Sequence, residues 1–450
     1  MRKFLFFLPF LLVFSACVMQ NPYNGVAPGI WRGVLFLEGK DYQKIKTSTK
    51  DYQATGDNYI AGQLPFNFEV KYDDSAANKF HIEIINGDER IRVDDIKIGR
   101  NRLKERRDTI HITLPIFHSY ISAIVEDKVM EGYYVVPSKE NYRIKFVAKH
   151  AQSYRFTELK NMPKGDINGK WDVVFSKGTP DEEKAVGEFK QHGEHLTGTF
   201  MTETGDYRYL EGTVQSRKID GGGAIDKMYL SCFDGSHTFL FEAIVNGDEM
   251  NGGYWYGLPY KGKEGKTSWT AKRNPNASLR DPHTLTTMKG GASSLDFSFP
   301  SIEAKNVSSN DFKGKVRVVQ ILGSWCPNCL DETRFLMDYL QKNANENLQI
   351  IGLAYEKSHS PQARLDLIKQ YQTQLKVPYP LLSAGYANKD SAAASLPELS
   401  QIMSFPTTIF IDKKGKVRRI HTGFSGPATS DFAAYKNDFQ TFIKQLLDEK

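Results

Sequence analysis

The sequence predicts two tandem antiparallel all-β domains, each a barrel or a sandwich, followed by one α/β domain. Segments of the N-terminal half resemble each other. Short alternating stretches in that half, such as FHIEI and YRYLEGTV, are separated by Gly, Asn and Asp turns, which is the signature of strands and hairpins. Beyond residue 294 the pattern changes to strands alternating with helices, which is typical of a sheet covered by helices.

An internal repeat defines the two β domains. The segment GIWRGVLF, from Gly29, corresponds to GKWDVVF, from Gly169, and AIVEDKVMEGYY, from Ala123, corresponds to AIVNGDEMNGGYW, from Ala243. The first copy is longer, and we expect its polar stretch 39–62 to be an insert. The Gly-x-Trp opening of each copy resembles that of lipocalin and streptavidin-like barrels. Barrels of this size hold a ligand or are filled by their own side chains, and we expect filled interiors.

A stretch rich in Pro, Ser, Thr and Gly separates the two parts of the chain. It reads NPNASLRDPHTLTTMKGGASS from Asn274 and has no apolar period, which indicates a linker. We therefore predict a signal peptide at 1–17, β domains at 18–160 and 161–275, a linker at 276–294 and the α/β domain at 295–450.

The N-terminus predicts export. Arg2 and Lys3 precede an apolar run that stops at Ser15, Ala16 and Cys17, and this run is roughly half the ~20 residues of a spanning helix. Small residues directly before a cysteine resemble a bacterial lipobox, so Cys17 is the expected lipidation site; the alternative is an ordinary cleaved signal. We expect a periplasmic protein held to a membrane by lipid, in an oxidising compartment.

Charge and ligand spacing exclude several other classes of function. The net charge of +6 over 450 residues is modest and does not call for nucleic acid. A basic cluster at 100–107 is interrupted by Glu105 and followed by Asp108, as in a solvated loop. His192 and His195 lie in a turn sequence between strands, so we predict no metal site, and nothing in the sequence calls for a cofactor.

Two of the four cysteines, Cys326 and Cys329, lie in the segment GSWCPNCLDE. A CxxC pair can be half of a zinc site, a structural clip or a redox-active dithiol. Zinc needs two more ligands at suitable spacing, and none follows, while a clip of this length constrains little chain. The pair falls where the predicted strand KVRVVQILGS ends and a helix at 330–343 follows, which favours a redox-active dithiol.

The two cysteines are expected to have different roles. Free amides and the helix dipole stabilise a thiolate at a helix N-terminus, so Cys326 is the expected nucleophile. Pro327 suits the first turn, where its missing N–H costs no hydrogen bond. Cys329, one turn further on, is expected to resolve the mixed disulfide.

The rest of the α/β domain follows in regular order. The predicted elements are a strand LQIIGLAY, a helix at 362–375, a short segment PYPLL, a strand TTIFID, a turn KKG, a strand KVRRIHTGF and a helix at 431–447. The segment 386–403 indicates a further helix inserted near the dithiol.

The sequence WCPNC after a buried strand, with SFPTTIFIDKKGKV some distance later, resembles the thioredoxin fold. The stretch FKGKVRVVQILGSWC is similar to the TlpA/ResA group of tethered reductases. This resemblance implies that Pro406 is a cis-proline facing the dithiol. It also implies that Trp325, Pro327, Phe405 and Thr407 contact the substrate.

The resemblance also implies a role for Glu332. The TlpA/ResA group has a glutamate three residues after the second cysteine, and Glu332 stands there, close enough to Cys329 to take its proton. Thioredoxin itself keeps a buried aspartate six residues before the first cysteine, where this chain has Gln320. The alternative for Glu332 is a solvated acid that favours the helix dipole.

The resemblance implies a thiol-disulfide oxidoreductase that reduces disulfide-bearing exported proteins and is reset by a membrane electron donor of the DsbD/CcdA type. Two alternatives stay open. The first alternative is a DsbA-like thiol oxidase, because the dipeptide Pro327-Asn328 departs from the group and has a proline first, as in the oxidising DsbA-type enzymes. The second alternative is a binding lipoprotein whose β domains recognise a ligand or partner.

Overall fold

The computed structural model describes residues 26–37, 61–74, 79–100, 108–126, 128–158, 161–218 and 222–450. The predicted signal peptide, Cys17 and nearly all of the expected insert 39–62 lie outside these residues, as does most of the basic cluster. Among the described helices, none has both the length and the apolar character needed to cross a membrane.

Two buried tryptophans anchor the first strands of the two β domains. Trp31 and Trp171 are fully buried, and each indole N–H donates to the carbonyl four residues earlier, Ala27 O at 2.9 Å and Ile167 O at 3.0 Å. Each of these strands pairs antiparallel with a strand on either side. The sequence repeat therefore reflects a structural repeat, and the predicted tandem all-β fold is confirmed.

The first β domain is one antiparallel sheet of nine strands in the order β4-β3-β2-β1-β9-β8-β7-β6-β5. Its edge strands β4 and β5 are separated in sequence only by residues 94–95, so the sheet curls round almost on itself. Its strands are β1 (Gly29–Phe36), β2 (Gln63–Asp74), β3 (Lys79–Asn86), β4 (Glu89–Val93), β5 (Ile96–Arg100), β6 (Asp108–Thr113), β7 (Tyr120–Glu126), β8 (Val129–Val135) and β9 (Arg143–His150).

The second β domain is a closed barrel. Pairing of β11 with β12 joins the ends of the order β11-β10-β18-β17-β16-β15-β14-β12. Aromatic side chains fill the interior, with the Phe200 and Phe241 rings 4.5 Å apart beside Trp171 and Trp269. Its strands are β10 (Gly169–Phe175), β11 (Glu183–His192), β12 (His195–Thr202), β13 (Gly205–Asp206), β14 (Leu210–Lys218), β15 (Ala224–Phe233), β16 (Thr238–Asn246), β17 (Glu249–Trp255) and β18 (Lys266–Arg273).

The C-terminal region is a five-stranded mixed sheet with the thioredoxin-like fold, in the order β23-β22-β21-β24-β25. Strands β21, β22 and β23 run parallel to one another, β24 pairs antiparallel with β21, and β25 pairs antiparallel with β24. A hairpin of β19 (Ser298–Pro300) and β20 (Asn306–Ser308) and a 3₁₀ turn (Ser309–Phe312) precede it. Its elements are β21 (Val316–Leu322), α1 (Pro327–Lys342), β22 (Leu348–Glu356), α2 (Pro361–Leu375), β23 (Leu381–Tyr386), α3 (Lys389–Ser395), β24 (Thr407–Ile411), β25 (Val417–Thr422) and α4 (Phe432–Asp448).

Apolar side chains pack on both faces of this sheet. One face carries α1, α2 and α4, whose buried residues include Leu336, Ile368 and Ile443. The other carries α3 and the chain before β19, with Ala392 and Leu295 buried. The stretch expected to be a linker lies against this domain, since Val417 donates its N–H to Ser293 O at 2.7 Å. The segment expected to hold an inserted helix contains α3.

The three regions contact one another. The Phe233 ring of the barrel lies 4.5 Å from that of Phe66 in the first β domain. Between the barrel and the α/β domain, Ser404 Oγ donates to Thr204 O at 2.8 Å and Gly426 N donates to Asp206 Oδ2 at 2.6 Å. The barrel thus contacts both the first β domain and the α/β domain.

Candidate active site

The dithiol lies at the junction of β21 and α1. Every residue of β21 is buried, and the helix begins at Pro327, three residues before the predicted start, because Cys326 caps it. Cys326 Sγ accepts the N–H of Cys329 at 3.3 Å. Both thiols are free. Cys326 is 7% exposed and Cys329 is 0% exposed, so Cys326 is the thiol that an incoming group can reach.

The loop before β24 faces the Cys326 thiol. The Phe405–Pro406 peptide bond is cis, and Cys326 Sγ donates to Phe405 O at 3.3 Å. The Trp325 and Phe405 rings meet edge to face, with centroids 5.7 Å apart. Thr407 is fully buried and donates its hydroxyl to Ser404 O at 2.8 Å. Trp325 and Phe405 thus flank the thiol, while the Thr407 side chain is turned away into the core.

Glu332 lies behind the dithiol and is fully buried. Its carboxylate accepts hydrogen bonds from Thr408 Oγ1 at 2.6 Å, Gln320 Nε2 at 2.9 Å and Tyr435 OH at 3.5 Å. Burial raises the pKa of Glu332 to about 7, although these hydrogen bonds oppose the rise. A carboxyl group with this pKa can accept or release a proton near neutral pH.

Cys329 is the thiol in electrostatic contact with Glu332. Burial raises the pKa of Cys329 well above its ordinary value, and the Cys326 thiol and the charge of Glu332 raise it further. Cys329 therefore keeps its proton in the reduced protein until a base takes it. Gln320 Nε2 also donates a hydrogen bond to Cys329 O at 3.4 Å. Gln320 therefore links the Glu332 carboxylate to the helix that carries the dithiol.

A second buried carboxylate, Glu356, was missed at the sequence level. It ends β22 and accepts the N–H of Ser324 at 2.9 Å and its hydroxyl at 2.7 Å. Burial raises the pKa of Glu356 to about 7. Because β21 and β22 are parallel neighbours, their carboxyl ends meet at one edge, and this rule could have placed Glu356 beside the dithiol.

Side chains of both β domains cover the dithiol, an arrangement that the sequence did not predict and that we call the roof. A cavity of about 520 Å³ is lined by Cys326, Pro327 and Asn328 from below, and from above by side chains of both β domains, including Phe117, Tyr142, His237 and Tyr256. Two lysines, Lys139 and Lys357, also line it. Lys357 Nζ lies 3.9 Å from the centre of the Trp325 ring.

The described residues place no cluster of metal ligands at the dithiol. The histidines considered at the sequence level lie on the barrel, where His195 Nε2 is 3.1 Å from Glu211 Oε1 and His192 Nδ1 is 2.8 Å from Gln191 O. Among the residues described, one group of potential ligands, Asp73, His81 and Asp94, comes together, and it belongs to the first β domain.

A free dithiol at the N-terminus of a helix, opposite a cis-proline loop of a mixed sheet, defines a thioredoxin-like redox domain. Residues 289–438 match the Redoxin family model. The C-terminal region therefore has the thioredoxin-like redox domain that its resemblance to the TlpA/ResA group predicted.

Several related proteins match part of this chain. The Thioredoxin-like protein YneN of Bacillus subtilis is 25% identical over 133 residues, which are 30% of this chain and 71% of the relative. The thiol-disulfide oxidoreductase ResA of Bacillus thuringiensis is 28% identical over 130 residues, 29% of this chain and 68% of the relative. The thiol:disulfide interchange protein DsbE of Pseudomonas aeruginosa is 27% identical over 171 residues, 38% of this chain and 83% of the relative.

Among solved structures, a thiol:disulfide interchange protein of the thioredoxin family from Chlorobium tepidum is similar. It is 22% identical, and the match covers 38% of this chain and 99% of that chain with a TM-score of 0.27.

Proposed function

We propose that this protein is a reductase of protein disulfides in the cell envelope, with Cys326 as nucleophile, Cys329 as resolving thiol and Glu332 as proton acceptor. The observation that carries the proposal is the buried Glu332 carboxylate, held by Gln320 and Thr408 within electrostatic reach of the protonated Cys329. A base in this position lets the buried thiol act at neutral pH.

The reaction proceeds through two exchange steps. The Cys326 thiolate attacks one sulfur of the substrate disulfide, and a mixed disulfide forms as the first substrate thiolate leaves and takes a proton. Glu332 then takes the Cys329 proton, and the Cys329 thiolate attacks Cys326 Sγ. The second substrate thiolate leaves and is protonated, so the substrate gains two electrons and two protons while the dithiol becomes a disulfide.

The other site residues hold the reacting groups in place. Glu356 anchors Ser324, two residues before Cys326, through two hydrogen bonds. Trp325 is fixed from the same side, because its indole N–H donates to Tyr355 O at 2.9 Å. The Phe405 carbonyl, 3.3 Å from Cys326 Sγ, is the backbone that an incoming substrate strand would meet.

Placement and resetting extend the proposal beyond the site. The signal sequence ending at Cys17 supports export and a lipid anchor, and the oxidised dithiol then needs an electron donor on the same side of the membrane. A membrane donor of the DsbD/CcdA type supplies two electrons and two protons by the same exchange chemistry.

Reduction of insulin disulfides by the full chain in detergent, with excess dithiothreitol, tests this function. We expect thiol-dependent turnover above the dithiothreitol background, abolished in Cys326→Ser. Cys232→Ser is the matched control, because Cys232 is a fully buried free thiol of the barrel and should leave the rate unchanged. An insulin rate equal to background would contradict the proposal and favour a binding lipoprotein.

A further inference from the structure

The size and charge of the cavity over Cys326 restrict which disulfides can bind there. The cavity is built by three separate regions of the chain, so its size and charge are properties of the docked arrangement and not of the thioredoxin-like domain alone. The inference drawn from it rests on the proposed disulfide exchange and concerns which disulfide the site takes.

Ion pairs and hydrogen bonds fix the roof in place. Arg208 of the barrel is 2% exposed and pairs with Glu89 of the first β domain, with Asp331 of α1 and with Asp234 of the barrel at 3.2 Å. Its guanidinium also donates to Pro327 O at 3.3 Å. One buried cation therefore joins all three regions within the first turn of the helix that carries Cys326.

The roof limits the size of the substrate. Cys326 retains 7% exposure, and the cavity above it has a volume of about 520 Å³, which lies within the range of pockets that hold small ligands. The turn between β12 and β13 also reaches the cis-proline loop, where Ser404 Oγ donates to Thr204 O. In the docked arrangement the thiol is therefore reached by a small molecule or a chain segment that fits this cavity.

The charge of the cavity favours an anion. Lys139 lies over Tyr142, with Nζ 4.3 Å from the ring centre, and Lys357 lies over Trp325. Within the described part of the chain, neither ammonium group has a carboxylate at ion-pair distance. The lining carboxylate Asp206 already accepts N–H groups from Gly426 and Arg208.

The two lysines also affect each other. Partial desolvation lowers the pKa of the half-buried Lys139 and of Lys357, whose side chain keeps solvent exposure, and the Lys139 charge lowers the pKa of Lys357 further. The Cys326 thiol and the neighbouring Glu356 carboxylate act on Lys357 in the opposite sense, so this ammonium group lies within electrostatic reach of the reacting sulfur. A bound anion would relieve the repulsion between the two cations.

We propose that the docked arrangement takes a low-molecular-weight disulfide that carries carboxylates, held with its sulfurs at Cys326 and its carboxylates at Lys139 and Lys357. Cys326 bonds to one sulfur as the S–S bond breaks, and Cys329 then displaces the second thiol. Two electrons and two protons pass from the dithiol to the ligand, giving two molecules of thiol. A dithiol reductant restores the protein between turnovers.

Three linear disulfides of similar length test the charge preference: 3,3′-dithiodipropionate, which is anionic, 2-hydroxyethyl disulfide, which is neutral, and cystamine, which is cationic. Pre-reduced full chain is mixed with each under single-turnover conditions, acid-quenched and analysed by mass spectrometry for the Cys326–Cys329 disulfide. Each rate is divided by that of free dithiothreitol with the same probe. We expect the anionic probe to react about tenfold faster than the cationic one, a preference that falls with added salt.

Variants assign the preference to the cavity. Lys139→Gln with Lys357→Gln should bring the ratio of the anionic to the cationic probe close to one. Lys369→Gln, an exposed lysine of α2, is the matched control and should keep the wild-type ratio. The neutral probe should still oxidise the dithiol in all these proteins, which shows that they are folded. The ratio of the anionic to the cationic probe cancels any change in the reactivity of Cys326 itself.

Each further outcome is decisive. Equal normalised rates for the three probes, or an unchanged ratio in the double variant, would overturn the substrate inference. If insulin is still reduced in that case, the proposed function stands without the substrate inference. Failure of every small disulfide and of insulin would remove the proposed function as well.

Discussion

Gln320 Nε2 donates a hydrogen bond of 2.9 Å to Glu332 Oε2 inside the core of the α/β domain. Gln320 occupies the β21 position where thioredoxin has a buried aspartate, and Glu332 lies on α1, one turn beyond Cys329. The buried carboxylate is therefore supplied by the helix, while the strand contributes a neutral donor that holds it. This arrangement keeps one ionisable group behind the dithiol and avoids a pair of repelling acids.

Glu332→Gln should slow the resolving step and change its pH dependence. The pKa of Glu332 is raised to about 7 by burial, so the fraction of Glu332 able to accept a proton rises with pH through about 7. The wild-type resolving rate should therefore rise through the same range, and the variant should lose this inflection and be roughly ten- to a hundredfold slower at neutral pH. Stopped-flow exchange with a chromogenic disulfide measures both.

Gln320→Met provides the complementary variant. The hydrogen bond from Gln320 lowers the pKa of Glu332. Removing this donor should therefore move the inflection of the resolving rate to higher pH without abolishing it. A profile that is the same in the wild type and both variants would show that Glu332 takes no proton in the reaction.

Sequence reasoning placed the dithiol because the information was local. A buried strand, a CxxC pair and a helical pattern follow one another between residues 316 and 342, and the structure has β21, Cys326 and α1 in that order. Lys139 and Arg208 were not found, since their place near the dithiol depends on how the β domains dock, and docking leaves no periodic pattern in the sequence. The position of Glu356 was also missed, but it could have been predicted from the parallel pairing of β21 with β22, which brings the end of β22 next to the dithiol.

Cys329→Ser should accumulate mixed disulfides on Cys326, whereas Cys326→Ser should form few. The reason is that Cys326 caps α1 and is partly exposed, while Cys329 is fully buried. Non-reducing mass spectrometry of each full-length variant, after incubation with a disulfide-bonded protein substrate, would identify the adducts. Adducts that form in Cys326→Ser and not in Cys329→Ser would reverse the assigned roles.

Arg208→Met should destabilise the docked arrangement. Removing this cation leaves Glu89, Asp234 and Asp331 facing one another without their shared partner. Loss of one partner from a buried ion pair typically costs about 3–5 kcal/mol. Chemical denaturation should show a loss of this order, with faster proteolysis between the β domains and residue 295. Arg280→Met is the control, because its ion pair with Glu203 is on an exposed side chain; equal stability of the two variants would remove Arg208 from the docking interface.

Cys17 should carry acyl chains in the mature protein. The apolar run before Ser15, Ala16 and Cys17 predicts cleavage directly ahead of the cysteine, which then becomes the anchored first residue. Intact-mass analysis of membrane fractions should find the lipidated chain, and Cys17→Ser should release the protein into the soluble fraction. Recovery of the wild type as a soluble species without lipid would refute the anchor.

The reduction potential of the dithiol decides between reductase and oxidase. A strongly stabilised Cys326 thiolate would make the pair a better oxidant, because stabilising the reduced form raises the potential. The surroundings of Cys329 give no such stabilisation: its burial, the Cys326 thiol and the Glu332 charge disfavour its thiolate, so this thiol stays protonated at neutral pH. We therefore expect a midpoint potential nearer thioredoxin's, about −270 mV, than DsbA's, about −120 mV. Equilibration of the full chain in glutathione or dithiothreitol buffers, with alkylation and mass spectrometry of the Cys326–Cys329 peptide, measures the potential independently of Cys17 and Cys232. A value above about −170 mV would make the oxidase, with its Pro327-Asn328 dipeptide, the better account of this site.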